Sequence, residues 1–409
     1  MADQKPILVV GGGISGLTVA LEAAEVGNPV ILVEKEPFLG GRVSRMNQYF
    51  PKLCPPYCGL EINFKRVKQN PGIEVLTSAE VGQVSGQAGD FKVTLKVNPT
   101  FVNENCTACG ECVAACPVER ANDFNYGMDR TKAVYFPHDM AFPARYAIDG
   151  AACKGSECGE CAKVCKYGAI ELGMKAKTRE VSVGAVVFAT GWQPYDAKKI
   201  DNLGFGASPD IITNVMMERL ASANGPTEGK ILRPSDGKEP KTIAFVQCAG
   251  SRDENHMEFC SAVCCTASVK QVTYIREKLP EAKIKVFYID LRTPGRLEDF
   301  LAKVQEYENV SFVKGKVAKI TKQGTGLLLE VEDTLSGNKL NETADLVVLA
   351  TGMLPNTAGL PGVTPDANGF GVSGQKGILF AGCVKQPLDV SLTVQDATGV
   401  AMKALQACR

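Results

Sequence analysis

Two runs of cysteine have the spacing that holds iron–sulfur clusters. The first run has the pattern C-x2-C-x2-C-x3-C-P and consists of Cys106, Cys109, Cys112 and Cys116. The second run has the pattern C-x4-C-x2-C-x3-C and consists of Cys153, Cys158, Cys161 and Cys165. A cubane needs thiolates that point inward from a tight loop, and two-cluster ferredoxins lend the last cysteine of each run to the other cluster. The spacing therefore predicts two [4Fe–4S] clusters.

The predicted ligand sets cross between the two runs. One cluster is assigned to Cys106, Cys109, Cys112 and Cys165, and the other to Cys153, Cys158, Cys161 and Cys116. The second run departs from the common pattern, because four residues follow Cys153 and Lys166 stands where proline is usual. Zinc is the main alternative, although tetrathiolate zinc ribbons lack the x2-x2-x3-C-P run. Disulfides are not expected, since no secretory signal precedes the first strand and a reducing cytoplasm is predicted.

The composition describes a large globular chain without a dominant charge. It has 409 residues, of which 45% are hydrophobic and 22% charged, and its 45 basic and 45 acidic side chains cancel. This length predicts two or three domains. Zero net charge argues against nucleic acid as the main partner. No apolar run approaches the ~20 residues that span a bilayer, so any membrane association is expected through partner subunits.

The N-terminal residues predict the βαβ unit that binds a dinucleotide. An apolar strand at 7–10 runs into a glycine turn, a helical stretch follows, and the next strand ends at Glu34. In such a unit Gly11 permits the tight turn, Gly13 lets the backbone approach the pyrophosphate, and Gly16 allows close helix packing. Glu34 lies 18 residues after Gly16, where a carboxylate accepts a hydrogen bond from a ribose hydroxyl.

The residues that follow favour FAD over NAD. The stretch K-E-P-F-L-G-G-R after Glu34, two strands that end in Ala-Thr-Gly, and a late G-I-L-F-A-G-C segment resemble FAD enzymes of the two-dinucleotide-binding flavoprotein group. Cys383 stands where that group usually has the aspartate that binds the ribityl chain, and Asp389 is the candidate replacement. The residues that this resemblance assigns to FAD are Gly11, Gly13, Gly16, Glu34, Lys35, Gly41, Arg42, Thr190, Gly191 and Gly382.

The order of these elements predicts an α/β protein with a two-dinucleotide-binding, Rossmann-like and thioredoxin-reductase-like flavoprotein fold and an inserted ferredoxin-like 2[4Fe–4S] domain. After the insertion, the FAD domain is expected to resume with a strand from Glu180 to Ala189. An insertion at the tip of a surface hairpin is tolerated because it leaves the parent core undisturbed. The predicted segments are an FAD-binding domain at 1–98, 178–200 and 341–409, the ferredoxin-like domain at 99–177, and a second Rossmann-like domain at 201–340.

The second Rossmann-like domain lacks a glycine fingerprint and carries cysteines in its place. The pattern is C-x11-C-x3-C-C, formed by Cys248, Cys260, Cys264 and Cys265. This pattern resembles the signature of heterodisulfide reductase A subunits and their relatives, as does Asp290-Leu291-Arg292-Thr293-Pro294. The resemblance implies a third [4Fe–4S] cluster on these cysteines, with Cys54 and Cys58 completing a pool of six thiols. Free buried thiols or a redox-active pair are the alternatives.

The family resemblance also implies a function. The length is most similar to that of A subunits from the quinone-interacting membrane-bound oxidoreductase complex of sulfate reducers. Such a chain would relay electrons between a quinone pool and adenylylsulfate reductase, beside a B-type flavin/iron–sulfur subunit plus a membrane haem subunit. It would be cytoplasmic but membrane-associated through these partners. The A subunit of another heterodisulfide-reductase-type complex remains open.

Two further functions compete with the relay. One is a stand-alone NAD(P)H oxidoreductase that passes electrons to ferredoxin, against which the missing second fingerprint counts. The other is a scaffold whose cofactors are structural, for which so many well-spaced cluster ligands beside a flavin are unexpected. No catalytic side chain is assigned, because the flavin itself is the predicted redox centre.

Overall fold

The structure, a computed structural model, describes residues 4–408, which form two compact units. The first unit contains the chain up to Trp192 and from Pro355 onward, and the second is Gln193–Leu354. The described α-helices are Ile14–Glu25, Tyr57–Gln69, Glu111–Ala115, Glu160–Val164, Asn214–Ala221, Cys264–Lys278, Leu297–Gln305 and Val390–Ala407. Short 3₁₀ helices are Val43–Arg45, Asp123–Asn125, Gly155–Glu157, Ala197–Lys199, Asp201–Leu203 and Gly382–Val384. Within the described residues, no helix has the length and apolar character needed to cross a bilayer.

A five-stranded parallel sheet forms the centre of the first unit. Its strands, in spatial order, are Ile378–Phe380, Ala185–Phe188, Ile7–Val10, Val30–Val33 and Ile73–Leu76. The three central strands are buried along their whole length, as expected for parallel strands that are covered on both faces. On one face, Ile7 and Val9 belong to the same core as apolar residues of helices Ile14–Glu25 and Val390–Ala407. The carboxyl end of strand Ile7–Val10 leads directly into the glycine turn.

The other face of this sheet is covered by a three-stranded antiparallel sheet. Its strands, in spatial order, are Lys177–Val183, Asp90–Val97 and Ala79–Gln87. Lys177 lies opposite Val97, so the chain between them leaves and returns at one point of the sheet. The single strand predicted from Glu180 to Ala189 is wrong: it divides at Gly184, and the second half, Ala185–Phe188, joins the parallel sheet. The Gly184 N–H donates to the carbonyl of Pro6, which fixes this change of sheet.

The cysteine-rich segment has a small core of its own. Two short antiparallel pairs support it, Glu119–Ala121 with Arg130–Lys132 and Val134–Tyr135 with Ala147–Ile148. Cys112, Cys116 and Cys161 are buried among its apolar side chains. The two short helices of this segment, Glu111–Ala115 and Glu160–Val164, each carry one of these buried thiols on the residue after the helix start.

The second unit is built on a seven-stranded mixed sheet. Its strands, in spatial order, are Ile211–Thr213, Leu346–Thr351, Thr242–Ala249, Lys283–Tyr288, Val310–Gln323, Gly326–Asp333 and Lys339–Ala344. The first five are parallel and the last two are antiparallel. Two more short strands, Trp192–Pro194 and Met353–Pro355, lie where the chain passes between units. Helix Cys264–Lys278 follows strand Thr242–Ala249, so its N-terminus lies where a Rossmann unit usually holds phosphate.

A buried ion pair holds that helix in place. Lys270 Nζ lies 3.0 Å from Glu218 Oε1, and both side chains are less than a tenth exposed. The Glu218 carboxylate also accepts hydrogen bonds from Gln271 at 2.8 Å and from the Tyr274 hydroxyl at 3.2 Å. This network ties helix Asn214–Ala221 to helix Cys264–Lys278 and thereby fixes the position of the thiols at the start of the latter.

Candidate functional site

The glycine turn shows which of its positions tolerate a side chain. Gly11 has φ +112°, and a Cβ added there would lie 2.3 Å from the carbonyl oxygen of Ala189. A Cβ on Gly16 would lie 1.8 Å from the carbonyl oxygen of Gly11. Gly13, by contrast, has φ −75°, and its added Cβ would meet only Gly41 Cα, at 3.8 Å. The protein itself thus requires glycine at 11 and 16, while the space beside Gly13 is open.

Glu34 is buried at the end of the second strand of the βαβ unit. Its carboxylate accepts the Gly12 N–H at 2.7 Å and the Glu36 N–H at 2.8 Å. Burial raises the pKa of Glu34 to about 7, although both backbone hydrogen bonds favour the ionised form. The neighbouring Lys35 is exposed. The carboxylate therefore lies against the glycine turn, where the ribose end of a dinucleotide is expected.

The segment after Glu34 closes over the glycine turn. The Gly40 N–H donates to the carbonyl of Gly12 at 2.8 Å, and a Cβ on Gly41 would lie 2.9 Å from Gly13 Cα. Arg42 then reaches along the same side of the unit. Its Nε donates to the carbonyl of Trp192 at 2.5 Å, and its guanidinium lies 4.8 Å from the centre of the Trp192 ring.

Arg42 has a second partner from the cysteine-rich segment. Its Nη1 lies 3.2 Å from the hydroxyl of Tyr126, which is the hydrogen-bond acceptor. Burial lowers the pKa of Arg42 from its ordinary value, and Tyr126 acts in the opposite direction. Arg42 is half-buried and directly follows Gly41, so its guanidinium is a candidate positive charge for a bound phosphate.

The strand end at Thr190 and Gly191 is held by Asn356, which the sequence did not single out. The Thr190 hydroxyl donates to the Asn356 carbonyl at 2.7 Å, and the Asn356 amide nitrogen donates back to the Thr190 carbonyl at 2.9 Å. The Gly191 carbonyl accepts the Asn356 N–H at 3.0 Å. Gly191 has φ +68° and no atom within 4 Å of an added Cβ, so it lies against open space.

Gly382 also lies against the glycine turn. A Cβ on Gly382 would lie 2.8 Å from the Ser15 hydroxyl, and the Gly382 N–H donates to Asp396 Oδ2 at 2.8 Å. Asp396 also pairs with Lys385 at 2.5 Å. It is the sole acid in helix Val390–Ala407, which is the sequence signal that would have identified it. Asp389, the candidate replacement for the usual ribityl aspartate, instead caps this helix by accepting the Leu392 N–H at 2.8 Å.

These residues fit FAD. The structure brings the glycine turn, Glu34, the segment 40–42 and Gly382 together around the open face at Gly13. The Ser15 hydroxyl is buried at the helix N-terminus and has no hydrogen-bond partner among residues 4–408. A buried hydroxyl without a partner is costly, and a phosphate group at a helix N-terminus would supply the missing acceptor.

The first predicted cluster set lines one cavity. Cys106, Cys109, Cys112 and Cys165 surround a space of about 300 Å³ that is partly open to solvent. Burial raises the pKa of Cys112 to about 11, and the nearby Cys106 and Cys109 add to this shift. Thiols that raise each other's pKa lie close together and need a cation to be held as thiolates. The four cysteines of this set thus line one pocket, and their assignment to one cluster stays a prediction.

The second predicted set is linked more loosely. Burial raises the pKa of Cys161, with further contributions from the thiols of Cys153 and Cys116. Cys158 interacts electrostatically with Lys163 at the surface. The structure therefore brings Cys116, Cys153 and Cys161 together, whereas Cys158 is not among the main causes of the raised pKa of Cys161.

Single-metal sites have a different geometry. Within the described part of the chain, no group of three or more His, Cys, Asp or Glu side chains has the arrangement that holds one metal ion. A cubane does not require that closeness, because its four thiolates bind four different irons.

A third group of thiols lies in the second unit. Cys264 interacts electrostatically with Cys265, Cys248 and Cys260, and burial is the main reason why its pKa is raised. Burial likewise raises the pKa of Cys248 to about 11, and Cys265 and Cys260 contribute. The Cys264 thiol lies 3.6 Å from the carbonyl of Thr351. The four cysteines of the C-x11-C-x3-C-C pattern are thus neighbours at the start of helix Cys264–Lys278.

The backbone around the cysteines is strained. Non-glycine residues with φ between +53° and +57° include Leu53 before Cys54, Ala108 before Cys109, and Cys248, Arg252 and Ala262 in the second unit. This conformation costs roughly 1–3 kcal/mol per residue and is concentrated at ligand-binding loops.

Cys54 and Cys58 lie in the first unit, where both thiols interact electrostatically with the Tyr49 hydroxyl.

Comparisons with known proteins match the N-terminal segment and the first cysteine run to two families. Residues 6–88 match the family of FAD dependent oxidoreductases, and residues 99–119 match the 4Fe-4S binding domain. The chain is 35% identical over 97% of its length to the A subunit of the H(2):CoB-CoM heterodisulfide,ferredoxin reductase of Methanothermobacter marburgensis. It is 36% identical over 98% of its length to the A subunit of the ferredoxin/F(420)H(2)-dependent CoB-CoM heterodisulfide reductase of Methanosarcina acetivorans. The chain is thus similar over nearly its whole length to heterodisulfide reductase A subunits.

The matched families and this similarity identify the chain as a flavin and iron–sulfur oxidoreductase subunit. The chain spans 63% of the Methanothermobacter relative and 53% of the Methanosarcina relative. The structure is similar to thioredoxin reductase from Lactococcus lactis, with a TM-score of 0.55 and 12% identity over 99% of both chains. The thioredoxin reductase of T. acidophilum gives a TM-score of 0.54 and 13% identity over 99% of this chain and 97% of that one. These structures confirm the predicted flavoprotein fold.

Proposed function

We propose that this chain is an electron-transfer subunit of the heterodisulfide reductase A family that connects FAD to three [4Fe–4S] clusters. The observation that carries the proposal is the presence, in one chain, of a glycine turn that fits FAD and three groups of neighbouring cysteines. FAD exchanges electrons in pairs and each cubane passes one at a time, so the set converts paired electrons into single ones. The residues supply the positions and the polarity around each centre.

The proposed ligands follow the three thiol groups. They are Cys106, Cys109, Cys112 and Cys165 for the first cluster; Cys116, Cys153, Cys158 and Cys161 for the second; and Cys248, Cys260, Cys264 and Cys265 for the third. FAD contacts are proposed for Gly11, Gly13, Gly16, Glu34, Lys35, Gly41, Arg42, Thr190, Gly191 and Gly382. Exposure of Lys35 makes it the weakest member of this second set.

The second unit supports electron supply by partner proteins rather than by a nicotinamide. Helix Cys264–Lys278 begins with two adjacent thiols where a Rossmann unit presents backbone N–H groups to a pyrophosphate. Cys264 is buried there and is surrounded by the other three thiols. A negatively charged cluster in this position is incompatible with a bound dinucleotide phosphate.

For the partners we propose those of a quinone-interacting membrane-bound oxidoreductase complex. Electrons would pass between a quinone pool and adenylylsulfate reductase, through a B-type flavin/iron–sulfur subunit plus a membrane haem subunit, and the chain would be cytoplasmic and held at the membrane by these partners. The resemblance in sequence pattern supports this assignment. Oxidation of the dithionite-reduced chain by adenylylsulfate reductase would support it, and the absence of transfer with intact clusters would contradict it.

The relay itself is tested by anaerobic titration of the purified protein with NADH and NADPH. The absorbance of flavin and clusters should stay unchanged with either nucleotide and should bleach fully with dithionite. Rapid bleaching by NADH or NADPH would make the chain a pyridine-nucleotide oxidoreductase and would overturn the proposal.

A further inference from the structure

Two arginines lie against the third group of thiols. Arg252 follows strand Thr242–Ala249, and its charge acts on the thiol of Cys248. Arg292 follows strand Lys283–Tyr288, and it interacts electrostatically with the thiol of Cys260. The sequence pattern alone did not predict that either side chain reaches a thiol.

One aspartate links the two arginines. Asp290 Oδ1 pairs with Arg252 Nη1, and Asp290 Oδ2 accepts from Arg292 Nε at 3.2 Å. The backbone of the same segment also covers the thiols. The Cys265 thiol lies 3.8 Å from the Asp290 carbonyl, and the charge of Arg292 also acts on Cys265. Arg252, Asp290 and Arg292, here named the charged triad, thus lie beside three of the four cysteines and come from two separate loops.

The charge of the triad has a definite electrostatic effect. Two guanidinium groups and one carboxylate give it a net charge of +1, and both cations pair with the Asp290 carboxylate beside the thiols. A [4Fe–4S] cluster with four thiolates is anionic and becomes more so when it accepts an electron, so cations and N–H···S bonds favour the reduced form. At an effective dielectric constant near 20, one unit charge about 10 Å from the cluster changes the equilibrium constant for reduction by roughly tenfold.

We propose that the charged triad raises the reduction potential of the cluster held by Cys248, Cys260, Cys264 and Cys265. The inference rests on the proposed function, because that function assigns the cluster to these cysteines. The arginines act as positioning and charge-supplying residues, and Asp290 both orients them and offsets part of their charge. A purely structural triad would instead hold the two loops together, and loss of any member would have the same kind of effect.

The signs of three variants separate these roles. Arg252→Gln and Arg292→Gln each remove a cation, so each should lower the midpoint potential of the third cluster by about 59 mV, the value of a tenfold change for a one-electron couple. Asp290→Asn removes the opposing charge and should raise that potential. Arg296→Gln is the matched control, because Arg296 is exposed four residues after Arg292. The third cluster of this control variant should have the same midpoint potential as in the unmodified protein.

The assay is a redox titration of the full-length holoprotein followed by electron paramagnetic resonance. Loss of one signal in Cys264→Ala identifies the third cluster. Arginine variants that shift no more than Arg296→Gln, or an Asp290→Asn shift of the same sign as theirs, would overturn the inference while the cluster remains. Unmodified protein that contains iron for only two clusters would overturn the proposed third ligand set and the inference with it.

Discussion

Gly13 and Gly16 should respond differently to the same substitution. Gly13 has an extended conformation that alanine adopts freely, and its added Cβ meets only Gly41 Cα, at 3.8 Å. Gly13→Ala should therefore change the unfolding free energy of the apoprotein by no more than about 1 kcal/mol. A Cβ on Gly16 would lie 1.8 Å from the backbone oxygen of Gly11, so Gly16→Ala should cost at least the upper end of the roughly 1–3 kcal/mol typical of overpacking.

Binding of FAD should show the opposite emphasis. The methyl group of Gly13→Ala enters the space proposed for the pyrophosphate, and an overpacking cost of about 1–3 kcal/mol in the complex weakens FAD binding roughly 5- to 150-fold. The dissociation constant can be measured by fluorescence titration of the apoprotein, and stability by denaturant unfolding. Gly399→Ala is the control, because Gly399 is exposed within helix Val390–Ala407 with no atom within 4 Å of an added Cβ.

Gly399→Ala should stabilise the protein by about 1 kcal/mol, since glycine is a poor helix former, and should leave FAD affinity unchanged. Unchanged FAD affinity in Gly13→Ala, with a correctly folded protein, would refute the placement of the pyrophosphate at the glycine turn. A loss of apoprotein stability in Gly13→Ala as large as that in Gly16→Ala would refute the description of the turn itself.

Three other results are expected. Glu218→Ala leaves Lys270 buried without this carboxylate and should destabilise the second unit by about 3–5 kcal/mol in denaturant unfolding. The control Glu277→Ala, at an exposed position of the helix that carries Lys270, should change stability by less than about 0.5 kcal/mol. Equal effects of the two substitutions would contradict the buried network. Burial raises the pKa of Glu34 from 4.5 to about 7, so the folded apoprotein holds a proton that the unfolded chain releases. The stability of the protein relative to that of Glu34→Gln should therefore fall by about 3 kcal/mol as the pH rises from 4.5 to 7. A parallel pH dependence in the two proteins would contradict this. Cys109→Ala and Cys161→Ala should each remove one ferredoxin-type paramagnetic signal and leave FAD bound, and loss of FAD with both signals intact would contradict the assignment of the two sites.

Local sequence patterns predicted the dinucleotide-binding elements well. The strands Ile7–Val10 and Val30–Val33 lie where the apolar runs indicate, because strands buried on both faces are continuous β-branched and leucine-rich segments. Gly11 and Gly16 have the close backbone contacts that the fingerprint implies. The division of the strand at Gly184 was missed, although residues 180–183 alternate between polar and apolar, whereas Ala185–Phe188 is wholly apolar and buried on both faces.

Contacts between distant residues were the part that the sequence did not reveal. Arg252 and Arg292 are forty residues apart and meet Cys248 and Cys260 only because two neighbouring strands end at the same edge of the sheet. The different contacts of Asp389 and Asp396 likewise depend on helix geometry. Asp389 lies at the N-cap and Asp396 faces Gly382, although both are acids of the same C-terminal segment. The five-segment domain division and the individual cluster ligands stay predictions.

The most direct test of the relay is the number of electrons that one chain accepts. An anaerobic coulometric titration of the holoprotein should consume about five electrons per chain, two for FAD and one for each of three clusters. A total of about four would remove the third cluster from the account. A total of about two, with only the flavin reduced, would contradict the central claim that this chain connects FAD to iron–sulfur clusters.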